Sequence, residues 1–479
     1  MPTLELARGL PCSGDIRRGA DVGLATNTVA PHQDHRPRSI PQRGCRAHGR
    51  TSRRLRSRGR GRRLQLHRHN ARVTAASSPS SAASVQRAPV VIVGAGPAGL
   101  TVANILRAAS VDCVVLETES RQFIEQRPRA GFMEEWAVRA LERRGLADRL
   151  LEQAQAHSEC EFRFAGGRHR FRYSELSGHR HFVYPQPLLV TDLVRKYADE
   201  AGGDIRFGVR DVELHAIDTD QPSVSYTDPE TGERRRIDCE VIAGCDGARG
   251  VTRACLPAEH ISVARHNYGV GWLALLAEAP PSSDCVVFGV HPRGFAAHMA
   301  RSPQVTRYYL ECPPGDDPEN WPHERVWSEL RHRLSVDGAQ PLAEGRLIEK
   351  RVLDMHNYVV EPMAYGRLYL AGDSAHLAAP IAAKGMNLAL HDALLLGDAL
   401  VAYCGKGDDS GLSGYSAACL RRVWQYQEFS QWLSEVLHGA SSGDAFRAGS
   451  TAARLRRILG SPAAATAFAE LYVGKDTDY

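Results

Sequence analysis

Several things are missing from this chain of 479 residues, and each absence narrows what it can be. Its 11 cysteines are scattered with no CxxC pair and no His/Cys cluster, so neither a zinc site nor a disulfide scaffold is indicated and most should be buried thiols. No stretch offers the roughly 18 to 20 unbroken apolar residues of a membrane span and none reads as a secretory signal, so no membrane partner is expected and the folded body should be cytoplasmic. Lysine is absent from residues 1–86, where 17 arginines face only four acids, Glu5, Asp15, Asp21 and Asp34. That segment carries +13, and subtracting it from the whole chain's +5 leaves −8 on residues 87–479. The basic average therefore belongs to one end, while the remaining chain is long enough for one large or two medium domains.

The basic end also lacks apolar periodicity. Its runs, such as SRRLRSRGRGRR at 52–63 and the Ser/Ala tract at 75–84, read as disorder. A nucleic-acid-binding tail and a transit peptide both fit Arg-rich, acid-poor composition. A dispensable extension ahead of the true start fits as well and is favoured. The acidic body carries no basic folded motif, so no nucleic-acid partner is expected.

What is present begins at Pro89 to Leu100, PVVIVGAGPAGL, where an apolar run breaks into three glycines and then into a helical pattern. Val90 to Val93 read as a buried parallel strand. Gly94 permits the tight turn, Gly96 lets backbone approach a pyrophosphate and Gly99 lets the helix close on the strand, so that helix N–H groups face phosphate. A second strand, Cys113 to Leu116, ends at Glu117, 18 residues past Gly99 and about where a ribose hydroxyl needs a carboxylate. Two further apolar strands end in acids: DCEVIAGCDG (Asp238 to Gly247) at Asp246, and GRLYLAGD (Gly366 to Asp373) at Asp373. Each acid alone could make an ordinary turn, but three such strand ends in the order GxGxxG, DG, GD point to one dinucleotide edge.

With these motifs in place the chain resembles the p-hydroxybenzoate hydroxylase family of single-component FAD aromatic monooxygenases, from about Pro89 to Gly474. The resemblance also rests on RPRAGFMEEW (Arg127 to Trp136), VYPQ (Val183 to Gln186), HPRGF (His291 to Phe295) and RYY (Arg307 to Tyr309). It continues through VVEPM (Val359 to Met363), AKGMNLA (Ala383 to Ala389) and LYVG (Leu471 to Gly474). It implies an α/β (α+β) two-domain fold, with a doubly wound, Rossmann-like FAD domain, an interleaved substrate-domain sheet and a helical C-terminal part. The FAD segments are expected at about 88–160, 180–260 and 350–400, the sheet at 160–180 and 260–350, and helices at 400–479. From Tyr415 to His438, Trp424, Phe429, Trp432 and Val436 recur at helical spacing and read as core or dimer contact.

The family's chemistry implies FAD reduced by NADPH or NADH, then O2 addition to give a C4a-hydroperoxide that hydroxylates an electron-rich ring. By resemblance Glu117 holds the adenosine ribose, Arg129 the pyrophosphate, Gln186 the flavin region and Asp373 the ribitol. Met386 and Asn387 present backbone N–H groups to the flavin pyrimidine edge, and Arg127 attracts the anionic cofactors. Arg301 and Arg307 match arginines that pair the ring carboxylate and flank flavin and substrate, and a guanidinium suits a carboxylate by its planar fork. Tyr309 also binds the carboxylate, Pro380 contacts the ring substituent through its carbonyl, and Tyr472 is the outer tyrosine of a proton relay. Thr118, Arg249 and His356 depart from family residues near the nucleotide cleft, which leaves NADPH versus NADH open. A homodimer is the family's expectation.

Three departures bear on the substrate. Phe288 stands where the family has its inner relay tyrosine, Met299 where it has a serine and Ile381 where it has a threonine. Phe288 can neither accept nor relay a phenolic proton, and loss of a buried hydroxyl partner is rarely neutral. The favoured substrate is therefore an amino- and/or hydroxybenzoate such as 3-amino-4-hydroxybenzoate, of the kind used in specialised, antibiotic-type biosynthesis. The alternative is 4-hydroxybenzoate 3-monooxygenation to protocatechuate. A flavin halogenase is disfavoured because WxWxIP surrounds none of the six tryptophans, and a non-oxygenating FAD reductase because no second GxGxxG is evident.

Overall fold

A computed structural model describes residues 86–127, 129 and 131–475. The expectations for residues 1–85 lie outside that range. Composition places Gln86 in the extension, but Gln86–Arg87 pair in parallel with Ile237 and Asp238, and Arg206 donates to the Gln86 amide oxygen. The folded chain thus begins at least one residue earlier than the composition suggested.

Four apolar runs, Val90–Val93, Cys113–Glu117, Val241–Gly244 and Leu368–Leu370, are wholly buried strands. Continuous rather than alternating apolarity is what a parallel sheet covered on both faces requires. They form a six-stranded sheet ordered 364–365, 368–370, 241–244, 90–93, 113–117, 204–207, parallel except for the edge strand Ala364–Tyr365. Helix Pro97–Ala108 packs on helix Gly385–Lys406, where a side chain at Gly397 would come within 2.8 Å of Ile105. That 22-residue helix is long and apolar enough to span a bilayer by composition. It is instead a core element, with Leu388, Leu390, Leu396 and Leu400 fully buried.

The second layer is an eight-stranded sheet ordered 376–377, 346–361, 262–278, 305–312, 296–302, 286–289, 160–164, 167–171. Its two longest strands, Ser262–Glu278 and Arg346–Glu361, run antiparallel from Ser262 opposite Glu361 to Glu278 opposite Arg346. The sheet therefore extends beyond residue 350, its expected limit, and recruits His376–Leu377 from the segment assigned to the FAD domain. Residues 210–238 form their own small sheet with Gln86–Arg87 rather than joining the parallel one. Three C-terminal helices follow, Ser410–His438, Ala445–Gly460 and Pro462–Val473. Phe429 and Val436 are fully buried there, whereas Trp424 is 44% exposed, so the expected aromatic stripe is narrower than its spacing implied. All nine described cysteines are free thiols, seven of them buried.

Candidate active site

The three glycines do three different things. Gly94 has φ +106°, and a Cβ there would sit 2.3 Å from the Cys245 carbonyl oxygen. A Cβ on Gly99 would fall 2.0 Å from the Gly94 oxygen, so these two positions close the turn and seat the helix. Nothing lies within 4 Å of a Cβ on Gly96, which leaves its backbone open to a ligand. Glu117 braces the same turn: one carboxylate oxygen accepts from the Ala95 N–H at 2.7 Å and the other from Glu119 N–H at 2.9 Å. The oxygen that accepts from Glu119 also accepts from the Thr118 hydroxyl at 3.4 Å, and the other keeps a second lone pair for a further donor such as a ribose hydroxyl.

The other two acids part company. Each oxygen of Asp246 accepts one hydrogen bond from Thr252, from its N–H at 2.9 Å and its hydroxyl at 2.5 Å, which braces the carboxylate within its own loop and leaves each oxygen a second lone pair. Asp373 follows strand Leu368–Leu370 in a short turn that Ser374 ties to the Gly244 carbonyl at 2.6 Å. Its half-buried carboxylate takes no hydrogen bond among the described residues, and burial pushes its pKa up against the pull of His376, Arg129 and Arg127. Asp392 fixes the backbone of this turn, accepting from Gly372 N–H at 2.9 Å and His376 Nε2 at 2.6 Å. The His376 pKa is raised by that carboxylate in spite of burial. His391, Asp392 and Cys419 bring ligand-type atoms within 4.8 Å of one another, but one oxygen of Asp392 is thereby committed to His376 and Gly372.

Positive charge gathers at this edge. Burial lowers the Arg129 pKa, and Arg127, Arg351 and Arg249 add to the effect while Asp373 opposes it. No acid pairs with Arg127 or Arg129 among the described residues; Arg127 lies over the Phe123 ring at 5.6 Å. Gln186 opens helix Gln186–Val194, half-buried. At the start of helix Gly385–Lys406, the N–H groups of Gly385, Met386 and Asn387 have no partner among the described residues, and the first intrahelical bond is Leu388 N–H to Lys384 C=O at 2.9 Å. The Asn387 side chain is spent elsewhere, accepting from Glu134 N–H at 2.9 Å and donating to the Phe132 and Ala383 carbonyls. An open Gly96, an unsatisfied carboxylate, unpaired guanidinium groups and free helix-terminal N–H groups fit a dinucleotide carrying a pyrophosphate, hydroxyls and a polar ring edge.

Sheet register assembles the second half of the site. Phe288 is opposite Ala297, which is opposite Tyr309, and Met299 is opposite Arg307. Because side chains alternate along a strand, Phe288, Met299, Arg307 and Tyr309 all lie on one face. Arg301 sits at an irregularity between Ala300 and Ser302 that re-aims it. Phe288, Ile381, Phe468 and Tyr472 share one apolar cluster, with Met299 and Tyr309 packed against it. The Phe288 ring lies 5.4 Å from Phe162 and 6.4 Å from Tyr472. Tyr309 packs on Trp272 at 5.0 Å, and the Trp272 indole donates to His438 Nε2 at 2.8 Å.

The two arginines differ. Buried Arg307 is neutralised by Glu349 at 2.9 Å, an acid the sequence reading did not single out. Arg301 donates to the Arg129 carbonyl and has no acid partner among the described residues. Burial and the neighbouring Arg307 lower its pKa, marking a cation short of a counter-charge. Also unforeseen is Lys384, fully buried, which donates to Glu134 and to the carbonyls of Leu471 and Tyr472 at 2.9 and 2.8 Å. Lys384 and Glu134 are 250 positions apart, so no local pattern announces the pair.

A parallel sheet with an open glycine turn, together with a second sheet whose apolar face carries Phe288, Met299 and Tyr309, fits the class of flavin-nucleotide proteins. Residues 87–430 match the family described as FAD binding domain. The chain is 37% identical over 396 residues to the p-hydroxybenzoate hydroxylase of Acinetobacter baylyi, covering 81% of this chain and 97% of that one. It is 28% identical over 363 residues to a 3-(3-hydroxy-phenyl)propionate/3-hydroxycinnamic acid hydroxylase of Mycolicibacterium gilvum, covering 73% of this chain and 60% of that one. The p-nitrophenol 4-monooxygenase PnpA of Pseudomonas putida shares the fold, with a TM-score of 0.70 at 20% identity over 82% of this chain and all of its own. This chain belongs to the FAD-binding aromatic monooxygenases, single-component flavoproteins that hydroxylate aromatic rings.

Proposed function

We propose that the chain hydroxylates a substituted benzoate with FAD, NAD(P)H and O2, and that an aminobenzoate such as 3-amino-4-hydroxybenzoate is preferred, as in specialised biosynthesis. The observation that carries this reading is Arg301, a buried cation without an acid partner among the described residues that senses Arg307 and Tyr309, on the strand that carries Met299, with Phe288 and Ile381 in the apolar cluster against which Met299 and Tyr309 pack. Arg301 and Tyr309 would hold the ring carboxylate, since a buried cation gains most from a bidentate anion. The apolar residues would enclose the ring and exclude water. An amino group donates electrons to the ring without prior deprotonation, so it does not need the proton acceptor that Phe288 lacks.

Bound FAD would supply the oxygen chemistry, transferring one atom of O2 to the ring while the other leaves as water. Gly96, Glu117, Arg127, Arg129, Gln186 and Asp373 would hold the nucleotide, and the Gly385 to Asn387 N–H groups would face the flavin ring edge. Arg307, neutralised by Glu349, would border flavin and substrate, and the Pro380 carbonyl would meet the ring substituent. The homodimer is included in this proposal.

A second reading is 4-hydroxybenzoate 3-monooxygenation, favoured by the similarity to the Acinetobacter baylyi enzyme and by retention of Tyr472. The deciding experiment is NAD(P)H oxidation by the FAD-loaded protein against 4-hydroxy-, 4-amino- and 3-amino-4-hydroxybenzoate, with products identified by mass spectrometry and NMR. Higher kcat/KM for an aminobenzoate is expected; equal or better turnover of 4-hydroxybenzoate overturns the first reading in favour of the second.

A further inference from the structure

Asn357 lies within the long strand Arg346–Glu361, opposite His266, with 5% of its surface exposed. Its Oδ1 accepts from the Ala379 N–H at 2.7 Å, and its Nδ2 donates to the Tyr268 hydroxyl at 2.7 Å and to Gln427 Oε1. Gln427, on helix Ser410–His438 and equally buried, donates its Nε2 to the Leu377 carbonyl at 3.1 Å. The backbone partners permit only one orientation of the two amides. Oδ1 must meet the Ala379 N–H, which turns both Asn357 hydrogens toward oxygens, and Gln427 must turn its nitrogen to Leu377 and its oxygen to Asn357.

Residues 377 and 379 are thus gripped from a strand on one side and a helix on the other. They immediately precede Pro380–Ala382, the short helical turn that leads through Ala383, at φ +54°, to helix Gly385–Lys406. In a buried setting a lost hydrogen bond is not replaced by water, so each partner restrains the next.

We propose that Asn357 is a positioning residue: acting through the Ala379 N–H and backed by Gln427 and Tyr268, it sets where Pro380 and Ile381 stand against the sheet face carrying Phe288 and Tyr309. This rests on the reading that this face receives the aromatic acid. Asn357 touches no reacting atom; its effect is on the fit of the ring, and therefore on how much oxygen reaches product rather than leaving as hydrogen peroxide.

The test uses the full-length, FAD-loaded protein and the variants Asn357→Ala, Asn357→Asp, whose carboxylate still accepts from Ala379, and Gln427→Leu. Peptide-resolved hydrogen exchange over residues 377–383, the FAD dissociation constant, KM and the peroxide fraction are measured together. For Asn357→Ala we expect exchange at least tenfold faster, KM at least fivefold higher and the peroxide fraction at least doubled, with FAD affinity within twofold of wild type. Asn357→Asp should hold exchange within threefold, and Gln427→Leu, which covers the case in which Asn357→Ala fails to fold, should move in the Ala direction. Unchanged exchange, or FAD loss in parallel with the loss of coupling, overturns the proposal. Exchange does not depend on substrate, so if no benzoate is turned over by the wild type the substrate reading fails while the clamp is still decided.

Discussion

Two side chains separate what the cofactor needs from what the substrate needs. Asp373 holds a carboxylate whose pKa burial pushes up, with no donor among the described residues to offset that cost. A ribitol hydroxyl donating to it would favour the ionised form, so FAD binding should expel a proton and weaken as pH falls through the raised pKa, above the ordinary carboxylate range. Asp373→Asn should loosen FAD by about 10-fold or more, in line with about 1.5–3 kcal/mol for a charged hydrogen bond, and should flatten that pH dependence. Fluorescence titration of apoprotein with FAD as pH is lowered from 8 measures both, and an Asp373→Asn variant that keeps the wild-type affinity and pH dependence would exclude the role. On the substrate side, Phe288→Tyr places a hydroxyl toward Tyr472, whose ring is 6.4 Å away. Its expected outcome is at least a 10-fold shift in relative kcat/KM from aminobenzoate toward 4-hydroxybenzoate, about 1.4 kcal/mol or more. No shift in that ratio would mean that position 288 does not select the substrate.

Among the elements, what could be read from sequence was whatever a single strand or turn encodes by itself. The strands at 90–93, 113–117, 241–244 and 368–370 announced themselves by unbroken apolarity, and Gly94 and Gly99 by spacing, because each answers to a local steric demand. The shared face of Phe288, Met299, Arg307 and Tyr309 is a matter of register between strands, which periodicity within one strand does not give. Asp246 and Asp373 look alike at two strand ends, yet one is braced by Thr252 and the other takes no hydrogen bond among the described residues. The Lys384 to Glu134 pair and the Asn357 clamp join elements remote in the chain, so only folding reveals them. The pair joins the start of helix Gly385–Lys406 to strand Phe132–Glu134 and, through Leu471 and Tyr472, to helix Pro462–Val473. Lys384→Met strands a buried carboxylate and should cost about 3–5 kcal/mol, whereas Lys384→Met with Glu134→Gln should recover part of that. Urea unfolding of the two variants measures it; equal loss in both would show that the ion pair is not what joins these elements.

Across the whole molecule, the balance of buried titratable groups sets a response to acid. His157, His181, His298 and His438 are each at most 7% exposed, and burial lowers the pKa of all four, His298 to about 4. For a histidine held neutral in the fold, the unfolded chain takes up a proton near pH 6.5 that the native state refuses, so the stability it contributes above that pH is lost as pH falls. His376 has the opposite shift, but its contribution is already complete below pH 6.5 and does not grow further. Asp246 and Asp373, raised by burial, oppose the loss, yet together they can offset no more than two of the four protons. His181, held well below its ordinary value, and His298, at about 4, can match those two acids, and His157 and His438 tip the balance, so the apoprotein should lose stability as pH falls below 6.5. Urea unfolding at pH 7.5, 6.0 and 5.0 should show stability falling steeply over the last interval, with proton uptake on unfolding seen by a pH indicator. His298→Gln keeps a neutral polar group at the position whose pKa burial lowers to about 4, and should reduce the slope by about one proton, ~1.4 kcal/mol per pH unit. Stability that holds level from pH 6.0 to 5.0 would mean that these four rings are protonated within the fold, and that the core around Tyr472, Trp272 and Tyr308 admits their charge.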